Sequence, residues 1–118
     1  MTPEEFWKAR TIERWAESAG HHADPPHVHQ ERLRVLEAFC NYTERSPDEL
    51  VAFCFLRKRA TGDRFVSVKR RVTVNEWLAA FVAEQGWKAK EAVQKANIVR
   101  SFLIHNGVLI QGDVWRGD

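Results

Sequence analysis

Apolar residues recur every three to four positions through most of this chain, the spacing of helices that bury one face. Ile12, Trp15, Ala16 and Ala19 form such a stripe, and Gly20 is a natural stop after it. Upstream, Thr2 precedes Pro3, Glu4 and Glu5 as an N-cap before a first helical turn. The segment His21 to His29, HHADPPHVH, reads as a loop, because adjacent prolines cannot continue a helix. From Gln30 the helical period returns, with Leu33, Leu36, Phe39 and Cys40 on one wide face. Ser46-Pro47-Asp48-Glu49 is a capping box with proline at the first helical position. A helix is expected from Pro47 to roughly Arg59, and its LVAFCFL stretch, apolar on every side, belongs at the centre of the core.

Thr61-Gly62-Asp63 is a turn signal, and the residues around it carry two periods at once. Val66, Val68, Val72 and Val74 alternate as in a strand, so a hairpin across the turn is open. Phe65, Val68, Val72, Ala79 and Val82 also share one helical face, and the helix is preferred, with a break near Thr73–Asn75. Asn75 to Gln85 is helical with Trp77, Leu78, Phe81 and Val82 inward, and Gly86 ends it. A last helix runs from about Lys88 to His105, where Asn106-Gly107 offers a left-handed stop. The expectation is an all-α fold: a four-helix core bundle with an additional N-terminal helix. The VLIQGDVW tail reads as extended.

Charge changes this picture more than composition does. The net charge of +2 hides a strong segregation. Residues 1–56 carry six basic and ten acidic side chains, residues 57–100 eleven and four, and residues 101–118 one and two. A cationic middle points to a polyanionic partner, while the small total argues against tight non-specific binding. The longest apolar run, Leu50 to Leu56, is far short of the roughly 20 residues that span a membrane. Acids stand near the N-terminus where a secretory signal would carry bases, so a cytoplasmic protein is expected. Cys40 and Cys54 lack metal spacing and read as free, buried thiols.

The search for chemistry is mostly negative. No glycine-rich phosphate loop and no nucleophile elbow occur. His21, His22, His27 and His29 lie close together with Asp24, but they match no zinc-finger spacing and read as a solvated polar loop. No metal and no cofactor is expected. The last helix is more informative. Ala92, Ala96, Val99, Phe102 and Leu103 gather on its inner side, and Lys90, Gln94, Asn97 and Ser101 fall in one acid-free sector opposite, flanked by Arg100. Glutamine and asparagine can pair with adenine in a major groove, and lysine can meet guanine or phosphate. The triplets Arg57-Lys58-Arg59 and Lys69-Arg70-Arg71 add phosphate-binding potential.

Residues Glu31 to Val51 and Gly86 to Ile110 carry a resemblance to the core-binding domain of tyrosine recombinases of the phage-integrase type, a SAM-like helical bundle. The matching features are the aromatic-ended helix before Pro47-Asp48-Glu49-Leu50, then Arg100-Ser101-Phe102 and the Asn106-Gly107 stop. About two-thirds of the chain is covered. Lys88 and Glu91 stand where the family usually opens its final helix with serine or threonine. The resemblance implies a module that forms one half of a clamp around double-stranded DNA in site-specific recombination by a phage or mobile element. The family's catalytic domain, with its arginines, histidines and nucleophilic tyrosine, has no counterpart in this chain. Tyr42, its only tyrosine, falls in a core helix. The module would therefore have no activity of its own, and would work with a catalytic recombinase domain, or a second copy, at the nucleoid. Lys90, Gln94 and Asn97 would lie over the groove, Arg64, Lys69, Arg70, Lys88 and Arg100 would hold phosphates, and Ser101 would be peripheral. Residues 1–28 form an N-terminal helix and histidine- and proline-rich loop, 29–110 the core-binding-like domain, and 111–118 a tail or the start of a linker. The rival expectation is a helical protein-interaction or dimerisation module, suggested by five tryptophans in 118 residues.

Overall fold

Two proline-led helix starts and three glycine stops set most of the boundaries. The computed structural model describes Phe6 and residues 8–110. Among these residues the elements from Arg10 onward are mostly helical: five α-helices and one short 3-10 turn, with a two-stranded sheet inserted among them. Helix α1 spans Arg10–Ala19 and ends on Gly20, whose φ of 72° a side-chain-bearing residue adopts only with strain. The expected Thr2 cap lies outside the described residues. Ala9 is extended and precedes α1 without a side-chain cap, so the helix starts at Arg10 rather than continuing from upstream. Its amino end is capped from elsewhere: the Asp48 carboxylate accepts hydrogen bonds from the Thr11 amide at 3.1 Å and the Thr11 hydroxyl at 2.6 Å.

The 3-10 turn His21–Ala23 leads to α2, Pro26–Thr43. The expected loop through His29 is thus corrected. The second proline begins the helix instead of blocking it, because a first-turn residue needs no intrahelical N–H partner and its φ is already helical. Helix α3, Pro47–Phe53, has the capping box read from the sequence. Ser46 Oγ accepts from the Glu49 amide and Glu49 Oε1 from the Ser46 amide, at 3.1 and 2.9 Å. These bonds hold the Glu49 carboxyl below its ordinary range.

Helix α3 stops at Phe53, six residues before the expected end. Strands β1, Phe55–Arg57, and β2, Arg64–Val66, form an antiparallel hairpin in which Phe55 faces Val66, Leu56 faces Phe65 and Arg57 faces Arg64. The fold is mostly helical, as expected, and of the two readings left open around Thr61-Gly62-Asp63 the hairpin is the one it adopts. The carbonyls freed at the end of α3 are taken by later residues: Arg70 Nη1 donates to the Phe53 carbonyl at 3.0 Å, and the Ser67 amide to that of Cys54 at 2.8 Å. Helix α4, Val68–Gln85, opens on Ser67 and runs unbroken through Thr73–Asn75. Its buried side is Val74, Asn75, Leu78 and Phe81. Val68 and Val72, which the sequence places on one apolar helical face, are exposed. Helix α5, Ala89–Ile104, ends as expected, with Gly107 at φ 89° and the Val108 amide returning to the Leu103 carbonyl.

Helix α5 packs on α1, α2 and α4, and α3 closes the bundle against α1 and α2. Its centre is aromatic: Phe39 meets Phe81 edge-on at 5.3 Å, and Trp15 meets Phe102 at 5.5 Å. Helix α1 is integral to this core, since Trp15 is fully buried and bonded to Ser101. Asn106 completes the attachment. Its buried amide donates to the Thr11 and Phe102 carbonyls at 3.0 and 2.9 Å, and its oxygen accepts from Arg14. Cys40 and Cys54 are free and buried, with thiols pushed up to about 12 and about 11 by burial.

Asn106→Ala should lower stability by about 2 kcal/mol, roughly 10 °C in melting temperature, because it strands buried polar groups at the α1–α5 junction. A melt within 2–3 °C of the unmodified chain would show that the junction contributes little. Glu44 caps α2 at φ 57°. Glu44→Gly removes that strain and should raise stability by about 0.5–1 kcal/mol in denaturant titration.

Candidate nucleic-acid interface

The outer side of α5 is where the sequence places its polar sector, and there the helix is open to solvent. Lys90, Gln94 and Asn97 are exposed, and the inner side is sealed by Ala96, Val99, Phe102 and Leu103. Helical periodicity alone produces this division, since the two sets lie half a turn apart. Lys88, the N-cap of α5, is also exposed.

The two residues at the edge of the strip are already engaged. Ser101 is half-buried, and its Oγ accepts the Trp15 indole N–H at 3.0 Å. Arg100 donates to Asn97 Oδ1 at 3.1 Å and to Asn75 Oδ1 on α4 at 3.5 Å. Asn97 therefore presents its amide N–H groups more readily than its oxygen. The paired donor–acceptor contact to adenine would require Arg100 to let go.

The remaining sequence-predicted residues sit on other elements. Arg64 is exposed on β2 with its guanidinium 3.8 Å from the centre of the Phe55 ring. Lys69 is exposed in the first turn of α4. Arg70 beside it is half-buried and holds the Phe53 carbonyl while lying over the Phe53 ring. The structure thus gathers Lys88, Lys90, Gln94, Asn97, Arg100 and Ser101 on α5. It puts Arg64, Lys69 and Arg70 at the hairpin and the start of α4.

Beside the strip runs a groove of about 760 Å³ between α1, the 3-10 turn, α2 and α5. Gln94, Asn97 and Ser101 form one wall, joined by groups the sequence did not place beside them: Glu31 and Arg32 from α2, Lys95 from α5, His105 at its carboxyl cap, and His21. Both groove cations are paired. Lys95 bonds Glu31, and Arg32 lies 2.7 Å from Asp24. Nothing local in the sequence pairs Lys95 with Glu31, 64 positions away. Glu31 brings a carboxylate to the groove side, although the strip itself remains acid-free.

His21 corrects the expectation of a solvated histidine loop. It is buried, with its ring edge-on to Trp15 at 4.8 Å and 5.7 Å from that of His29. His29 lies on α2. Burial, then the Arg32, His29 and His105 charges, push the His21 imidazole down to about 4 against the opposing pull of Asp24. Among the described residues no group of three or more histidine, cysteine or acidic side chains is placed to hold a metal ion. No helix among them is long and apolar enough to cross a membrane. No protein-family model, curated protein or solved structure matches the chain.

The depressed His21 value sets a pH dependence. The unfolded chain takes up the proton near 6.5 and the folded chain near 4. The His21 contribution to stability should therefore be full above neutrality, be lost as pH drops from about 6.5 towards 4, and change no further below. Denaturant midpoints at several pH values should show this decline, and His21→Phe should flatten it. An equal decline in that variant would place its origin elsewhere.

Proposed function

We propose that this chain is a non-catalytic DNA-binding module that grips duplex DNA through the outer face of α5. The observation that carries the reading is the exposed, acid-free Lys90–Gln94–Asn97 strip on a helix whose other side is locked in the core. A helix held this way presents its side chains in fixed register, which reading base edges requires. The resemblance to tyrosine-recombinase core-binding domains supports the same conclusion. In that reading α2 to α5 form the SAM-like four-helix core. The module supplies half of a DNA clamp in site-specific recombination at the nucleoid of a cell hosting a phage or mobile element, and a catalytic domain supplies the other half. Lys88 and Lys90 contact phosphates, and Gln94 and Asn97 face the groove. Arg100 reaches phosphate after exchanging its bond to Asn97, Lys69 acts from α4, and Ser101 stays with Trp15.

A second reading, self-association, is favoured by one specific patch. Val68 and Val72 are 65% and 54% exposed one turn apart on α4. Arg71 Nη1 donates to the carbonyl of Leu109, itself 65% exposed, at 2.8 Å. Light scattering addresses this reading directly: a concentration-independent monomer sets it aside.

For the DNA reading, affinity for a duplex of about 25 base pairs is measured at low and moderate salt. Binding should weaken steeply with salt, with a slope near 0.9 per phosphate engaged. Lys90→Ala with Gln94→Ala should weaken it about tenfold or more without lowering the melting temperature. Absence of binding at low salt, or an unmoved affinity in the double variant, would overturn the assignment of α5.

A further inference from the structure

The β1–β2 hairpin concentrates cationic charge that the fold leaves unneutralised. Between residues 50 and 75 stand seven arginines and lysines and one acid, Asp63. Arg57 and Arg64 are direct cross-strand partners, an arrangement of like charges that weakens an antiparallel pair. The two ion pairs among the described residues, Arg32–Asp24 and Lys95–Glu31, involve neither of them. Arg57 instead donates to the Gly62 carbonyl at 2.9 Å, and Arg64 stacks on Phe55. Stacking uses the face of a guanidinium and leaves its in-plane donors for an anion. Lys58 and Arg59 follow in the connecting loop, both exposed.

The loop is also preformed. The Lys58 amide bonds the Asp63 carbonyl and the Gly62 amide bonds the Lys58 carbonyl, both at 2.8 Å. The Asp63 amide bonds Thr61 Oγ1, and Gly62 takes a φ of 75° that favours glycine. Little ordering would accompany binding. On the opposite face of the ribbon, Leu56 and Phe65 oppose each other and are 36% and 38% exposed.

We infer that this hairpin is a second nucleic-acid contact, a two-stranded ribbon whose Arg57, Lys58, Arg59 and Arg64 engage phosphates of duplex DNA. The inference rests on the DNA-binding reading above and assigns it a separate element. A major groove is wide enough for such a ribbon, and the guanidinium fork matches phosphate oxygens. The Leu56–Phe65 face then lies against the sugar edges of the groove wall. An anionic membrane is the weaker partner: about a third of two side chains offers little apolar area to bury in a bilayer.

The test uses the full chain and a duplex of about 25 base pairs across a salt series. Lys58→Glu with Arg59→Glu is the principal variant, because neither side chain makes a bond within the fold. Affinity at low salt should fall at least about tenfold, and the slope of log K against log salt should become shallower by about 2, as two lost phosphate contacts require. Arg34→Glu, an exposed cation on α2, controls for long-range charge and should change affinity far less. An equal loss in Arg34→Glu overturns the proposal. So does an unchanged affinity and slope in the hairpin variant while Lys90→Ala with Gln94→Ala weakens binding; that outcome leaves the α5 reading intact. Loss in the hairpin variant with an unmoved α5 variant supports the hairpin and removes α5. No DNA binding by the unmodified chain overturns both readings, as does hairpin-dependent binding to phosphatidylserine vesicles without binding to DNA.

Discussion

The buried amide of Asn106 is the joint on which the arrangement turns. Three hydrogen bonds tie it to α5 through Phe102, and to α1 through Thr11 and Arg14. A buried primary amide is costly unless nearly all its capacity is used, so its partners must stay in place. Through this joint α1 lies along α5, Trp15 reaches both Phe102 and Ser101, and the groove acquires its far wall. The same contact leaves α1 on one flank of α5 only, which is why Lys90, Gln94 and Asn97 remain uncovered. An exposed strip and a rigid helix are thus two results of one packing decision.

Long-range capping recurs across the molecule. Asp48 lies in the first turn of α3 and also caps α1, 37 positions earlier. Arg70, in the first turn of α4, closes α3. These bonds explain which parts of the fold were legible in the sequence. The Ser46 box, the Gly20 and Gly86 stops and the α5 stripe are local, so residues within a few positions determine them. The end of α3 is not local. The LVAFCFL stretch suits helix and strand alike, and its break at Phe53 depends on Ser67 and Arg70 accepting the role of partners. Val68 and Val72 fit a helical face, but the helix turns the neighbouring stripe of Val74, Leu78 and Phe81 to the core. Period alone does not choose between two apolar stripes on one helix.

The candidate site was half legible for the same reason. Which side of α5 faces outward follows from helical geometry. What stands next to it does not: Trp15, Glu31 and His21 arrive from segments remote in sequence, and each changes the surroundings of that face. Trp15 takes the Ser101 hydroxyl, and Glu31 neutralises Lys95. His21, one of a histidine cluster in the sequence, becomes a buried neutral ring once Trp15 and α2 close over it.

Charge counted along the chain therefore overstates the charge a partner would meet. The middle segment holds eleven basic residues, but the fold spends several of them. Arg70 and Arg71 bind backbone carbonyls, Arg100 bridges Asn97 and Asn75, and Lys95 is paired. The division follows side-chain chemistry. A planar guanidinium can hold a carbonyl with its edge and an aromatic ring with its face, so arginines become internal fasteners. The strongly hydrated ammonium gains less from such sites, and Lys58, Lys69, Lys88 and Lys90 stay exposed. Two regions keep their cations available: the hairpin, where Arg57 and Arg64 have no carboxylate opposite, and the amino-terminal half of α5. An anionic partner gains most by touching both, because each releases counterions without first breaking a bond that holds the fold together.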